Sequence, residues 1–309
     1  MMLQPATLAE LTQRLAAAAP PEKIERVDLA SLNRVVEYTP EDMVVTAEAG
    51  ITLAALQAEL ARHGQWLPLD VPHPERATLA EIIDANLSGP HRFGFGTIRD
   101  HIIGMACVLA DGTVIHSGGK VVKNVAGYDL MKLFIGAQGS LGVVVEATFR
   151  LRPLPEVEKF VSATCASLEQ ADKLIEAVIS SPVTPVVLDL HGSSTNALTI
   201  TVGFAGTREE VEWQVARATE LGFNQSGSLE YEAAFWNGTS TAQKISVLPS
   251  KMIEAVRKLN GAPFVARAGN GVTYHRGPAT PSVEQLPLDL MRRLKDAYDP
   301  RHILPALPL

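Results

Sequence analysis

Residues 118–142 read GGKVVKNVAGYDLMKLFIGAQGSLG, and no other stretch of the 309-residue chain constrains its fold as strongly. Gly118, Gly119, Gly136, Gly139 and Gly142 bracket a short amphipathic segment, and a strand-like run, 143–149, follows at once. Clustered glycines let a backbone take positive φ and come close to a ligand. Such turns ahead of a strand occur in many folds, so the glycines need support from the rest of the chain.

That support is an α+β pattern. Thr7 and Glu10 make a capping-box signature, Leu8, Leu11 and Leu15 follow at helical spacing, and Pro20–Pro21 stops the helix. Strands are expected at 24–28, 32–38 and 42–49. A helix with Leu53, Leu56 and Leu60 on one face should run to about Gly64. Residues 65–103 read as loop-rich. Asp111–Gly112, between 105–110 and 113–116, is a hairpin signal. Pro153 and Pro155 interrupt any regular element, which sets a boundary and predicts domains of 1–152 and 156–309. Beyond it the order is strand 159–165, helix 168–180, strands 185–191 and 197–204, helix 207–221. That β-α-β-β-α order suits a ferredoxin-like layer with an antiparallel sheet. Residues 222–250 lack a clear pattern; a helix at 251–260, a strand at 263–268 and a helix at 288–298 complete the reading.

Composition removes several function classes. A net charge of −7 argues against nucleic acid or an anionic membrane surface as general partner. No apolar run approaches the roughly 18 residues of a membrane span. No export signal is visible at the N-terminus, which predicts a cytoplasmic protein. Cys107 and Cys165 have neither metal nor iron–sulfur spacing, so no cluster and no metal are assigned to the chain.

The full string at 118–142 resembles the flavin-binding segment of the PCMH-type (vanillyl-alcohol-oxidase) flavoproteins. Lys123–Leu130 looks most like the second flavin-domain subunit of bacterial glycolate oxidase complexes. The resemblance covers most of residues 5–155 and implies a two-part FAD-binding domain followed by a ferredoxin-like cap. Further matches are 32–35 through 49–52, Val71–Pro72–His73, Ala77–Thr78, Ser88–Gly89–Pro90, 96–100 and 136–142. It implies FAD as cofactor, touched by Thr78, Ser88, Gly89, Gly96, Thr97, Gly139, Gly142 and the backbone near Val144. It also implies a larger homologous flavoprotein subunit and an iron–sulfur subunit as partners, through which the chain could be held at a membrane.

Three departures cut against a full flavin site, and a fourth against the metal and substrate ligands of catalytic relatives. The family's N-terminal glycine-rich phosphate loop is absent, since the first glycine is Gly50 and only 20–23 stand where the loop should be. Ala80–Glu81 replaces two glycines, which brings a carboxylate toward a pyrophosphate position. Leu304–Pro305–Ala306 replaces an Asn-Pro-Gly turn. Arg267–Tyr274 stands where catalytic relatives carry His-Ala-Gly-Asp-Gly-Asn-Leu-His, so both histidines are lost, and His275 is one place out of register. FAD is therefore expected to be bound weakly or lost, and no catalytic residue is assigned. The alternative to an oxidase subunit is a scaffold that keeps the fold without the cofactor.

Other candidates have plainer readings beside the functional one. His73, Arg76, His91, Arg92, Arg99 and His101 make 73–101 locally basic, either as an anion pocket or as a solvated loop with Arg99–Asp100 paired. Lys123, Tyr128 and Asp129 suit fold or subunit contacts better than catalysis, and Phe235–Trp236 suits a core or interface anchor. His116, His191 and His302 read as structural.

Overall fold

The computed structural model describes residues 1–119, 129–192, 198–238, 241–277 and 287–307. Most of the 123–130 string, together with Lys123 and Tyr128, falls outside them. The chain forms two compact units: residues 1–88, 97–154 and 285–309 make the first, and residues 89–96 and 155–284 the second. Two segments thus leave a simple cut near 153. The C-terminal stretch joins the first unit, because Lys295 Nζ is buried there against the Ser140, Leu304 and Pro305 carbonyls. Residues 89–96 join the second, where the Gly94 N–H donates to Val186 O at 3.1 Å.

The first unit opens with helix Leu8–Ala17, whose Leu11 and Leu15 are fully buried. Thr7 caps it by accepting the Glu10 N–H, but the Glu10 carboxylate accepts the Ala6 N–H, so only half of the expected box forms. Residues 18–25 lead straight into strand Arg26–Val27, which pairs in parallel with Met2–Leu3. A five-stranded sheet follows in the order Val35–Thr39, Val44–Glu48, Val143–Arg150, Ile102–Val108, Val114–Gly118, with every pairing antiparallel. The predicted hairpin is its last pair. Helix Leu53–Ala61 buries Leu53, Leu56 and Leu60, the three residues whose spacing predicted it.

Two expectations for this unit need correction. The loop-rich stretch holds helix Leu79–Ala85 and a single turn at Ile98–His101, and its 89–96 part, in the second unit, a further turn at Arg92–Phe95. Pro153 does not end all pairing, because Arg152–Pro153 pairs with Gln65–Trp66 as a two-residue edge. An edge position tolerates proline, whose missing N–H would face away from the partner.

The second unit holds a seven-stranded sheet in the order Gln225–Ser226, Val157–Cys165, Leu198–Gly206, Val187–Gly192, Phe264–Arg267, Val272–His275, Gln243–Ser246. Its first four members have the ferredoxin-like order with antiparallel neighbours. The last three extend the sheet. Of these, Val272–His275 and Gln243–Ser246 escaped sequence reading, as did helix Glu230–Trp236. Helices Leu168–Ile179 and Arg208–Glu220 cover one face, where Leu188, Leu190, Ile200, Val202 and Phe204 make the core with Ile175, Val178 and Val211. Because side chains alternate along a strand, the opposite face carries Asp189, His191, Thr201 and Arg267. Asp189 lies opposite both Thr201 and Arg267.

Candidate functional site

A cavity of about 940 Å³ opens within the first unit, large enough for a cofactor-sized ligand. Strand Arg26–Val27 and Asp28 form one wall, Gly50–Thr52 and the helix from Thr78 to Ala85 another. Gln138–Gly139, Val143–Val144 and Leu304–Pro305 complete it. Gly50 makes the crossing possible: a Cβ there would lie 1.8 Å from the Leu29 carbonyl oxygen. Gly139 turns the chain with φ +70 at the cavity edge.

Of the eight cofactor contacts implied by the resemblance, Thr78, Gly139 and Val144 line this cavity. The other five lie outside its lining. Ser88 is buried, Thr97 caps the turn Ile98–His101 with Asp100, and Gly142 packs tightly, since a Cβ would stand 3.0 Å from the Phe134 ring. Gly89 and Gly96 belong to the 89–96 segment of the second unit.

The cavity's charges are mostly acidic. Glu25, Asp28, Glu81 and Asp84 face Arg26 and Arg76. Arg26 Nη2 lies 2.7 Å from Glu81 Oε1. Glu81 Oε2 accepts the Thr78 N–H at 3.1 Å and the Thr78 hydroxyl at 3.3 Å, which closes a capping box on helix Leu79–Ala85. The remaining donors of that first turn are also taken. Leu79 N–H donates to Ile51 O, Ala80 N–H to Ala49 O, Glu81 N–H to Thr78 Oγ1 and Ile82 N–H to Thr78 O. Asp84, one turn along the same helix face, is held up to about 7 by burial and by the Glu81 charge, against the Gly139 N–H that it accepts. Sequence reading named Glu81 but missed Asp84; its spacing of three from Glu81 was the available signal.

A second polar cluster lies on the sheet face of the second unit. The Arg267 guanidinium, 1% exposed, donates through Nη1 to both Asp189 and Glu232. Tyr231 OH donates to Asp189 at 2.7 Å and stacks on His191 at 4.0 Å, and the Tyr274 ring lies 5.8 Å from the Arg267 Cζ. Burial opposes the Arg267 charge, but the two carboxylates outweigh it and keep the guanidinium protonated. Burial pushes Asp189 up against the pull of Arg267, and it presses the His191 imidazole down to about 4, with help from the Arg267 charge. Arg267 Nε and Nη2 and Asp189 Oδ1 are buried without a protein partner. This cluster, absent from the sequence reading, joins residues 35 and 78 positions apart.

The other candidates have local roles. His91 pairs with Glu158, Lys132 with Asp129, and His302 with Asp296. Phe235 is buried and Trp236 Nε1 donates to Glu232 at 2.9 Å. Among the described residues no helix is long and apolar enough to cross a membrane.

Comparison with known proteins agrees with this architecture. The family described as "FAD binding domain" matches residues 14–118. Glycolate oxidase subunit GlcE of Escherichia coli (strain K12) is 37% identical over 132 residues, 42% of this chain and 38% of that protein. Glycolate oxidase subunit GlcD of Bacillus subtilis (strain 168) is 32% identical over 158 residues, 51% of this chain and 34% of that protein. A probable mitochondrial D-lactate dehydrogenase of Danio rerio is 30% identical over 218 residues, 65% of this chain and 43% of that protein. The chain therefore spans less than half the length of these relatives. A solved alkyldihydroxyacetonephosphate synthase superposes with a TM-score of 0.70 over 98% of this chain and 76% of its own, at 14% identity, which speaks for the fold alone. Residues 14–118 thus match the FAD binding domain family, and the chain is similar in part to glycolate oxidase subunits and to a D-lactate dehydrogenase.

Proposed function

We propose that this chain is the flavin-domain partner subunit of a glycolate (2-hydroxy acid) oxidase complex, cytoplasmic or held at a membrane by its partners. A larger homologous flavoprotein subunit oxidises the hydroxy acid, and an iron–sulfur subunit takes the electrons. The unit of residues 1–88, 97–154 and 285–309 is the flavin-type module, and that of 89–96 and 155–284 is the cap. The names of the relatives support this reading, GlcE above all.

One observation carries the assignment of a partner role. Around Thr78 and Glu81, the backbone donors that would meet an FAD diphosphate already serve protein acceptors. A diphosphate is held by charge-assisted hydrogen bonds, each contributing roughly 1.5–3 kcal/mol. Without two or three of them affinity falls by several orders of magnitude, because each ~1.4 kcal/mol is tenfold. The residues present do not fit the cofactor's diphosphate, so FAD is held weakly or not at all and no redox step is assigned here. In the cap, Arg267 stands where the resemblance puts a histidine ligand, and its Nη1 is engaged by two carboxylates.

The same observation favours a second reading, a scaffold subunit without any cofactor. Affinity purification from the native host, with absorbance recorded, tests both. Recovery of a flavoprotein dehydrogenase and an iron–sulfur protein is the expected result, and recovery of neither overturns the oxidase-complex reading. A colourless lone chain that resists FAD reconstitution selects the scaffold form. A sub-micromolar FAD dissociation constant for the lone chain overturns the weak-binding reading.

A further inference from the structure

Two carboxylates of the second-unit cluster converge on one nitrogen. Arg267 Nη1 donates to Asp189 Oδ2 and to Glu232 Oε1, while Nε and Nη2 are buried without a protein acceptor. A guanidinium held for its hydrogen bonds presents a two-donor fork to a carboxylate. Here that fork goes unused, although burying two unpaired donors is unfavourable. What Asp189 and Glu232 take from Arg267 is therefore charge at a point. The fold builds this convergence: Asp189 lies directly across the sheet from Arg267, and helix Glu230–Trp236 brings Glu232 together with Tyr231, whose hydroxyl donates to Asp189. Buried carboxylates gathered on a point charge are the surroundings of a bound cation.

Arg267 also stands where the resemblance puts a metal-ligating histidine. The residues present do not fit a metal ion. Both carboxylates already hold a cation, and among the described residues no three His, Cys, Asp or Glu side chains group to ligate one. We infer that Arg267 is a built-in cation of the cap, which keeps divalent metal out and whose removal leaves Asp189 and Glu232 as a site for a hard divalent ion such as Mn²⁺. Two carboxylates completed by water suit such an ion. This rests on the cap reading of the second unit but not on any partner.

Paramagnetic Mn²⁺ tests this on the full chain, because Trp236 Nε1 lies 2.9 Å from Glu232 and its indole resonance broadens when the ion binds there. In the wild type that resonance is expected to stay sharp, with the same thermal midpoint in MnCl₂ and in EDTA. Arg267→Ala leaves both carboxylates and an open space. It should bind Mn²⁺ at least about a hundredfold more tightly than the wild type in titration calorimetry, since the ion relieves an uncompensated buried charge. Its Trp236 resonance should broaden, and its lowered midpoint should rise with Mn²⁺. Arg267→Lys keeps a cation and should show no such gain. Should Arg267→Ala be unfolded in EDTA, refolding in MnCl₂ is the expected result. Selective broadening of Trp236 in the wild type overturns the proposal. So does an Arg267→Ala chain that neither binds Mn²⁺ nor refolds with it, or an equal gain in Arg267→Lys. Failure of the subunit reading shows instead in the purification experiment, which involves no added metal.

Discussion

Asp84 shows how far one side chain can shift the behaviour of this protein. Its carboxyl is raised to about 7 by burial and by Glu81. Below the unfolded value near 4 both states hold the proton, and this group contributes nothing. As pH rises toward 7 the unfolded chain releases the proton first, so stability falls across that window and levels off above it. Each tenfold change in proton affinity is about 1.4 kcal/mol. Asp84→Asn, which removes the ionisable group, should therefore stabilise the chain at pH 8 by about 2 kcal/mol after allowance for its partial exposure, with little change at pH 4. Urea denaturation at both pH values checks the sign. Arg267 is the opposite case, a cation that two carboxylates require. Arg267→Met leaves the Asp189 and Glu232 carboxyls in the interior without their cation, and about 3–5 kcal/mol of stability should be lost at pH 7. Near-unchanged urea midpoints would show that the cluster is not an ion pair of this kind.

Among the elements, helices with long periodic faces were the most legible. Arg208–Glu220 follows its N-cap Thr207, which completes a reciprocal capping box with Glu210 in the first turn, as their spacing implies. Thr207→Ala should cost about 1 kcal/mol and Thr207→Ser much less, read as shifts in the urea midpoint. The strands of the five-stranded sheet and the Asp111–Gly112 hairpin were equally readable, because alternation and turn chemistry are local, whereas the strand order was not. Helix Leu79–Ala85 was missed, since seven residues span barely two turns and the preceding stretch holds several prolines. Gln243–Ser246 and Val272–His275 are four residues each, too short for a period to show. They exist because the edge of Phe264–Arg267 supplies a partner to Val272–His275, which in turn supplies one to Gln243–Ser246.

At the scale of the whole molecule, the C-terminal segment closes the first unit. Lys295, 6% exposed, spans Asp299 and three carbonyls, and Arg301 reaches the carbonyls of Leu15, Ala16 and Ala110. Lys295→Met would strand the fully buried Asp299 without its cation. The first unit should lose about 3 kcal/mol or more, with earlier protection loss in hydrogen exchange across residues 129–150 than in the second unit. Equal loss in both units would contradict this arrangement.

The sequence by itself determined the α+β architecture, the antiparallel sheet of the cap and the lack of any glycine before Gly50, because these follow from periodicity, turn residues and composition. Tertiary structure alone decided that Glu81 turns onto Arg26 and Thr78, that Asp84 holds a proton near neutrality, and that Arg267 joins Asp189 to Glu232. Such pairings depend on which distant backbones are brought within about 3 Å, and on how much water is removed when they meet. A residue's type shows what it could bind. Only the fold shows that the partner is already in place.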